Sequence, residues 1–280
     1  MRLHRLRSLQ EFEKHREQNA EEIATHIKEI ESLVPAHPRE FRVPGYSYTA
    51  EQKVDFLVDF QHSGASGRVN WRERVCCPKT GFNNRMRATF HVFDIEMEAY
   101  KDSRIYITEQ ITPIYSYFAS RYSQVFGSEY LADEVPYGTL NAHGVRNETL
   151  CALSFADQSF DILVSLDVLE HIPDYRTAFS ECARVLKPGG RMMWSVPFVS
   201  SINNNIIRAR MSENGVEHLL PPEYHGDPLS KNGVLCFTHF GWEMLDQVRA
   251  AGFTDAYAIC FQSLAFGYLG GEQFLFVARK

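Results

Sequence analysis

Apolar and polar positions divide this chain into three textures. From about Leu6 to Val34, Ile23, Ile27, Ile30 and Val34 recur at helical spacing while Glu, Lys, Arg and His fill the other faces. That pattern predicts a helix stopped by Pro35 and Pro38, either an arm packed on its own domain or a surface for a partner helix in a homodimer. Residues 39–103 read as a polar, irregular extension with short candidate strands such as Val54 to Phe60 and a flexible HSGASG loop at 62–67. In NWRERVCCPKTGFNNRMRATFHVF, residues 70–93, Arg85 and Arg87 read as the solvated start of a helix covering the main domain.

From Arg104 onward short apolar runs alternate with helical stretches. RIYIT (104–108) and QVFGS (124–128) read as strands, and FDILVSL (160–166) as a central strand buried on both faces. Thr112 followed by Pro113 is a cap and first-turn pair for a helix carrying Ile114, Tyr117, Phe118 and Tyr122. A helix from about Asp174 to Leu186 stops at Lys187-Pro188-Gly189-Gly190, and RMMWSV (191–196) is the next strand. A helix over Phe240 to Ala251, closed by Gly252, precedes two final strands at 255–262 and 272–279. This order predicts an α/β fold with a doubly wound, mainly parallel sheet. The division it suggests is a helix at 1–38, an extension at 39–103 and the main domain at 104–280.

Composition narrows the function. Of 280 residues 44% are hydrophobic and 23% charged, ordinary for a soluble globular chain. A net charge of −6 argues against a protein whose main task is gripping a nucleic-acid backbone. No apolar run is long enough to span a bilayer, and the N-terminus lacks the apolar region of a secretory signal. Cys151, Cys182 and Cys260 lie in apolar surroundings, where thiols act as small core residues, and a reducing cytoplasm fits them. Cys77-Pro-x-x-Gly is half of a zinc knuckle without a second pair of ligands, so no metal is expected there.

In a doubly wound sheet ligands bind beyond the carboxyl ends of the strands. The residues there are Thr108, Glu109 and Gln110; Glu129 and Tyr130; Glu148, Thr149 and Leu150; and Asp167 and Val168. Glu129 follows Glu109 by 20 positions (129 − 109), placing a carboxylate to accept from both ribose hydroxyls of an adenosine ligand. A surface glutamate in a loop would show the same spacing.

The ordered pieces LSFADQSFD, DVLEH, RVLKPGG and SVPF, from Leu153 to Phe198, resemble the class I S-adenosylmethionine-dependent methyltransferase family, especially its small-molecule branch. The resemblance is close over about 150–198 and looser from 104 onward, and it implies a seven-stranded, Rossmann-like sheet that binds S-adenosylmethionine. It implies Glu129 at the cofactor ribose, Glu148 or Thr149 at the adenine, and Asp167 and Val168 at the methionine end. His171 falls where some relatives place a base or a substrate contact. The departure is the first loop, TEQITP, where the family has a glycine-rich turn. Glycines serve approach to a pyrophosphate, which S-adenosylmethionine lacks, so the change disfavours dinucleotides more. Glu109 can pair with its ammonium, and amides near Thr112 can meet its carboxylate.

Methyl transfer needs a nucleophile held on the methyl axis, and a hydroxyl acceptor gains from a base. The candidates are His143, His171, His225 and His239, with Asp167 or Asp227 as alternatives. Tyr224, His225 and Asp227 in the PPEYHGDP loop can form part of an acceptor pocket, or the loop can be a turn fixed by its prolines. His239, beside Phe240 and Trp242, reads as a packed residue at a helix start, and Phe198 and Asn203 to Asn205 can border the acceptor. The reading is a methyltransferase acting on a small polar acceptor, with an oxygen of a sugar or other metabolite preferred. A binding module that kept the fold, and an enzyme acting on protein or nucleic acid, are the alternatives.

Overall fold

The computed structural model describes residues 1–37, 39–63, 67–226 and 229–280, so Pro38, the middle of the HSGASG loop and Asp227 lie outside the described residues. Contacts divide the chain into two compact units. One comprises Met1–Leu6, Gln10–Glu98 and Ala258–Leu275, and the other Arg7–Leu9, Ala99–Tyr257 and Phe276–Lys280. These do not follow the expected boundaries at 38 and 103, because residues 258–275 pack with the N-terminal third.

The first unit begins with a strand, β1 (Arg2–Leu6), rather than a continuous helix from Leu6. α1 (Leu9–Gln18) and α2 (Ala20–Leu33) follow, separated at Asn19, whose side-chain amide donates to the His15 carbonyl at 2.7 Å. The apolar stripe offered for a partner helix is spent inside the unit. Ile23 and Ile30 are buried, Ile30 against Val43, Phe56 and Leu269, while Ile27 stays 40% exposed.

The segment expected to be irregular holds a hairpin of β2 (Phe41–Ser47) and β3 (Gln52–Val58), then α3 (Trp71–Arg74), β4 (Val75–Cys76) and α4 (Asn84–Glu96). α4 is a core helix, and Arg87, read from sequence as solvated, is fully buried. Its guanidinium donates to the carbonyls of Phe266 (2.6 Å), Gly267 (2.9 Å) and Val75 (3.0 Å) and lies 4.0 Å from the Phe56 ring centroid. Burial lowers its pKa to about 10. Buried arginine is tolerated when its fixed fork of donors finds acceptors, as it does here.

In the second unit β5 (Arg104–Ile107), β6 (Gln124–Gly127), β7 (Phe160–Leu166) and β8 (Leu186–Ser195) are parallel neighbours in the order β8-β7-β5-β6. β7 has the expected bounds and is almost wholly buried. α5 (Pro113–Arg121) starts at Thr112, whose hydroxyl accepts from the Tyr115 amide, and α6 (Tyr175–Val185) starts at Asp174, which caps the Thr177 amide. Short pairs follow: β9 (Ile206–Ile207), β10 (Ala209–Ser212) with β11 (Gly215–His218), β12 (Tyr224–His225) with β13 (Val234–Leu235), and β14 (Thr238–His239) with β9. α7 (Glu243–Ala250), β15 (Asp255–Ser263) and β16 (Tyr268–Arg279) complete the chain.

The full sheet has seven strands in the order β1-β15-β16-β8-β7-β5-β6. It is mixed rather than mainly parallel, since β1 pairs antiparallel with β15 and β16 antiparallel with β8. After β5 the chain moves to one side for β6 and then to the other for β7. That reversal sets the ligand crevice at the carboxyl ends of β5 and β7. Among the described residues no helix is long and apolar enough to cross a membrane.

Candidate functional site

Four strand ends meet the crevice. At the β5 and β7 ends, the Thr108 hydroxyl donates to Ser165 Oγ at 3.1 Å. At the β7 and β8 ends, the Asp167 amide donates to the Ser195 carbonyl at 2.9 Å, and the Ser195 hydroxyl donates to Asp167 Oδ1 at 2.8 Å. Asp167 holds φ = 53°, the left-handed region that costs non-glycine residues energy but that aspartate tolerates better than most. Two bonds to Ser195 sustain that turn, which aims Asp167 and Val168, both half-buried, beyond the strand.

The first loop keeps its shape without glycines. Glu129 Oε1 accepts from the backbone amides of Gln110 (2.6 Å) and Ile111 (2.9 Å), so the carboxylate at the end of β6 fastens the turn after β5. Gln110 is itself a bridge: its Nε2 donates to the Gly144 carbonyl at 2.9 Å, and its Oε1 accepts from the Arg146 amide at 2.8 Å. Gly127, at the end of β6, packs tightly under this loop: an added Cβ would lie 2.6 Å from the Tyr115 ring and 2.9 Å from the Glu109 carbonyl. That close approach is a glycine requirement readable only from the packed structure. Glu109 is half-buried and Tyr130 is 55% exposed at the rim.

Glu148, expected at the adenine, also holds the backbone beside it. It is buried, and both oxygens are engaged: Oε1 with Arg146 Nε at 2.7 Å and the Ser154 hydroxyl at 2.5 Å, Oε2 with the Ser154 amide at 2.9 Å. It is therefore a clamp on the segment before β7. Thr149 is half-buried and Leu150 buried beside it.

Beyond Asp167, Leu169–His171 form a 3₁₀ turn that drops Glu170 into the interior with no exposed surface. Two imidazoles face it: His171 Nε2 at 3.7 Å and His225 Nδ1 at 3.6 Å from Glu170 Oε1. His171 Nδ1 lies 2.8 Å from the Leu235 carbonyl, which requires that nitrogen to donate. His225 Nε2 and His239 Nε2 both sit on Glu223 Oε1, at 3.0 and 3.1 Å, and the buried Cys236 Sγ lies within 4.8 Å of the facing Glu223 and His239 atoms. Contact with Cys236, then with Glu170, raises the His225 pKa to about 11. Burial pushes the Glu170 carboxyl up, and it pushes the Cys236 thiol up too, but His225 and His239 bring the thiol below its ordinary value.

The structure thus brings His171 and His225 together and adds His239, Glu170, Glu223 and Cys236. His239 is a member of this cluster rather than only a packed residue at a helix start. The missed signal is the spacing Glu-x-His at 223–225 and Cys-x-x-His at 236–239. His143 lies exposed in a turn, and Asn205 pins Gly241, Tyr175 and Gln247 as scaffold.

A family model described as a methyltransferase domain matches residues 113–194. The ubiquinone biosynthesis O-methyltransferase of Chelativorans sp. (strain BNC1) is 33% identical over 104 residues, 35% of this chain and 39% of that protein. That of Idiomarina loihiensis is 30% identical over 109 residues, 36% and 43%. The chain thus spans about two fifths of the length of these relatives. An S-adenosylmethionine-dependent methyltransferase from Mesorhizobium loti is similar over 69% of this chain and 98% of its own, with 18% identity and a TM-score of 0.44. The Burkholderia thailandensis 1,6-didemethyltoxoflavin-N1-methyltransferase is similar over 70% and 76%, with 18% identity and a TM-score of 0.38. The match to the methyltransferase domain model, residues 113–194, lies within the second unit.

Proposed function

We propose that the second unit binds S-adenosylmethionine at the carboxyl ends of β5, β6 and β7 and methylates an oxygen of a small polar acceptor. The observation that carries the reading is Glu129, whose carboxylate at the end of β6 organises the first loop in place of glycines. A carboxylate has about four acceptor sites, enough for two amides and the hydroxyls of a ribose. The lack of a phosphate-binding glycine loop in TEQITP suits an adenosine ligand with a sulfonium rather than a pyrophosphate.

In this assignment Glu109, Gln110, Glu129 and Tyr130 border the ribose and amino-acid ends. Thr149 and Leu150 flank the adenine, and Asp167 and Val168 line the methionine end. When bound, the cofactor supplies an activated methyl group on a good, neutral leaving group. The protein's part is then to hold the acceptor oxygen on the methyl axis, worth several kcal/mol in favourable cases. Asp167 and His171 are assigned to the acceptor side because they follow on β7, Asp167 directly and His171 after one 3₁₀ turn. The relatives' O-methyltransferase names support oxygen as the acceptor atom. The six cysteines are free thiols, which supports a reducing, cytoplasmic setting.

Calorimetric titration with S-adenosylhomocysteine tests the reading. Saturable one-site binding is expected. A protein that is folded and shows no binding would be a module that kept the fold and lost the cofactor, and the proposal would fall.

A further inference from the structure

We propose that Glu223, His225, Cys236 and His239 form a closed four-ligand site for a divalent transition metal of the zinc type, independent of the methyl-transfer reading. The donor set has the chemistry such ions choose, one thiolate, two imidazoles and one carboxylate. Ligand atoms around a tetrahedral zinc sit roughly 3.3–3.8 Å apart, from bonds of about 2.0–2.3 Å. Here Glu223 Oε1 is 3.0 Å from His225 Nε2 and 3.1 Å from His239 Nε2. The ligand atoms of Glu223, Cys236 and His239 all fall within 4.8 Å of one another, and His225 joins them through its Nε2 on Glu223 Oε1. A small shift opens this set around an ion.

The backbone holds the four residues in register. β12 pairs with β13, Tyr224 opposite Leu235 and His225 opposite Val234, and the Cys236 amide donates to the Glu223 carbonyl at 2.8 Å. His239 is fixed opposite Ile206 by the pairing of β14 with β9. Arg208 Nη2 lies 3.1 Å from Glu223 Oε2, which leaves Oε1 as the oxygen turned to the imidazoles.

Glu170 supplies the independent observation. It is fully buried, and neither carboxylate oxygen has a hydrogen-bond partner among the described residues. Such a group is costly unless a neighbouring charge compensates it. Its Oε1 lies 3.6 Å from His225 Nδ1, the ring nitrogen opposite the one turned to Glu223. A carboxylate behind a ligating imidazole is the usual outer support of a metal-bound histidine. Two anionic ligands neutralise a divalent ion, and with four protein ligands the site is structural. His225 is then a ligand and not an acceptor contact.

The test is metal analysis of the purified full chain after dialysis, followed by chelator stripping and titration with cobalt(II) alone. About one equivalent of bound zinc, and a thiolate-to-cobalt charge-transfer band that disappears in Cys236→Ser, are expected. Should Cys236→Ser not fold, Glu170→Gln keeps all four ligands and lowers affinity about 10- to 100-fold in chelator competition. Substoichiometric metal with no cobalt band in the folded parent, or a band unchanged in Cys236→Ser, overturns the proposal. Because the readouts are metal content and a spectrum, they stand apart from the S-adenosylhomocysteine titration.

Discussion

Glu129 offers the sharpest quantitative test of the cofactor reading. Replacing it by alanine removes the acceptor for the Gln110 and Ile111 amides, at 2.6 and 2.9 Å, and the acceptor assigned to the ribose. Hydrogen bonds to a charged group contribute about 1.5–3 kcal/mol each when buried. Glu129 is only partly buried, so the lower end applies, and the two loop amides can recover water in the free protein. What remains on binding is the lost ribose contact plus the cost of reordering the loop, together about 3 kcal/mol, or roughly two orders of magnitude in dissociation constant. Glu129→Gln keeps an oxygen for the amides and loses only the charge, so its loss should be about tenfold. The assay is isothermal titration of both variants with S-adenosylhomocysteine, with circular dichroism to show that each is folded. Binding by Glu129→Ala within about twofold of the parent would refute the reasoning.

Two further predictions concern stability. Arg87→Ala leaves the Val75, Phe266 and Gly267 carbonyls without their donor and opens a cavity against Phe56, so urea denaturation should show the first unit weakened by about 3–5 kcal/mol; a loss below about 1 kcal/mol contradicts the core role of that guanidinium. The Arg184 side chain holds the Glu181 carboxyl below its ordinary value of 4.5, so this pair adds stability that is present above about pH 4.5 and lost as the pH falls through the lower folded value; in Glu181→Gln the acid limb of a stability–pH curve should flatten, and an unchanged limb would contradict the assignment.

The second unit was largely legible because its signals are local. Phe160–Leu166 is a continuous apolar run, and Thr112-Pro113 states its own cap. The first unit hid its core in polar letters. Asn84, Arg87 and His91 suggest a solvated helix until their partners, the Leu269, Phe266 and Gly267 carbonyls and the Tyr268 hydroxyl, are brought to them. β1 is hidden because RLHRL carries an arginine on each face, Arg2 and Arg5, and its pairing partner Ala258–Gln262 lies far along the chain. Strand-end logic puts Glu129 and Asp167 just beyond β6 and β7, where they lie, but does not show that Glu148 also serves Arg146 and Ser154. The Glu170 cluster was half seen. His171 and His225 stand out as candidates, while the Glu-x-His and Cys-x-x-His spacings that carry Glu223 and Cys236 are weak signals until two short strand pairs fold them together.

The discontinuity of the first unit sets a clock on its folding. Arg87 waits for the Gly267 carbonyl, 180 residues downstream. At about 5–20 residues per second of synthesis, that is roughly 10–40 s during which a helix destined for the core is exposed with its central cation unpaired to those carbonyls. The second unit has only the end of β16 to await, so a ribosome-bound chain should hold a formed parallel sheet while the first unit is unfinished. Chaperone dependence should therefore concentrate in residues 10–98.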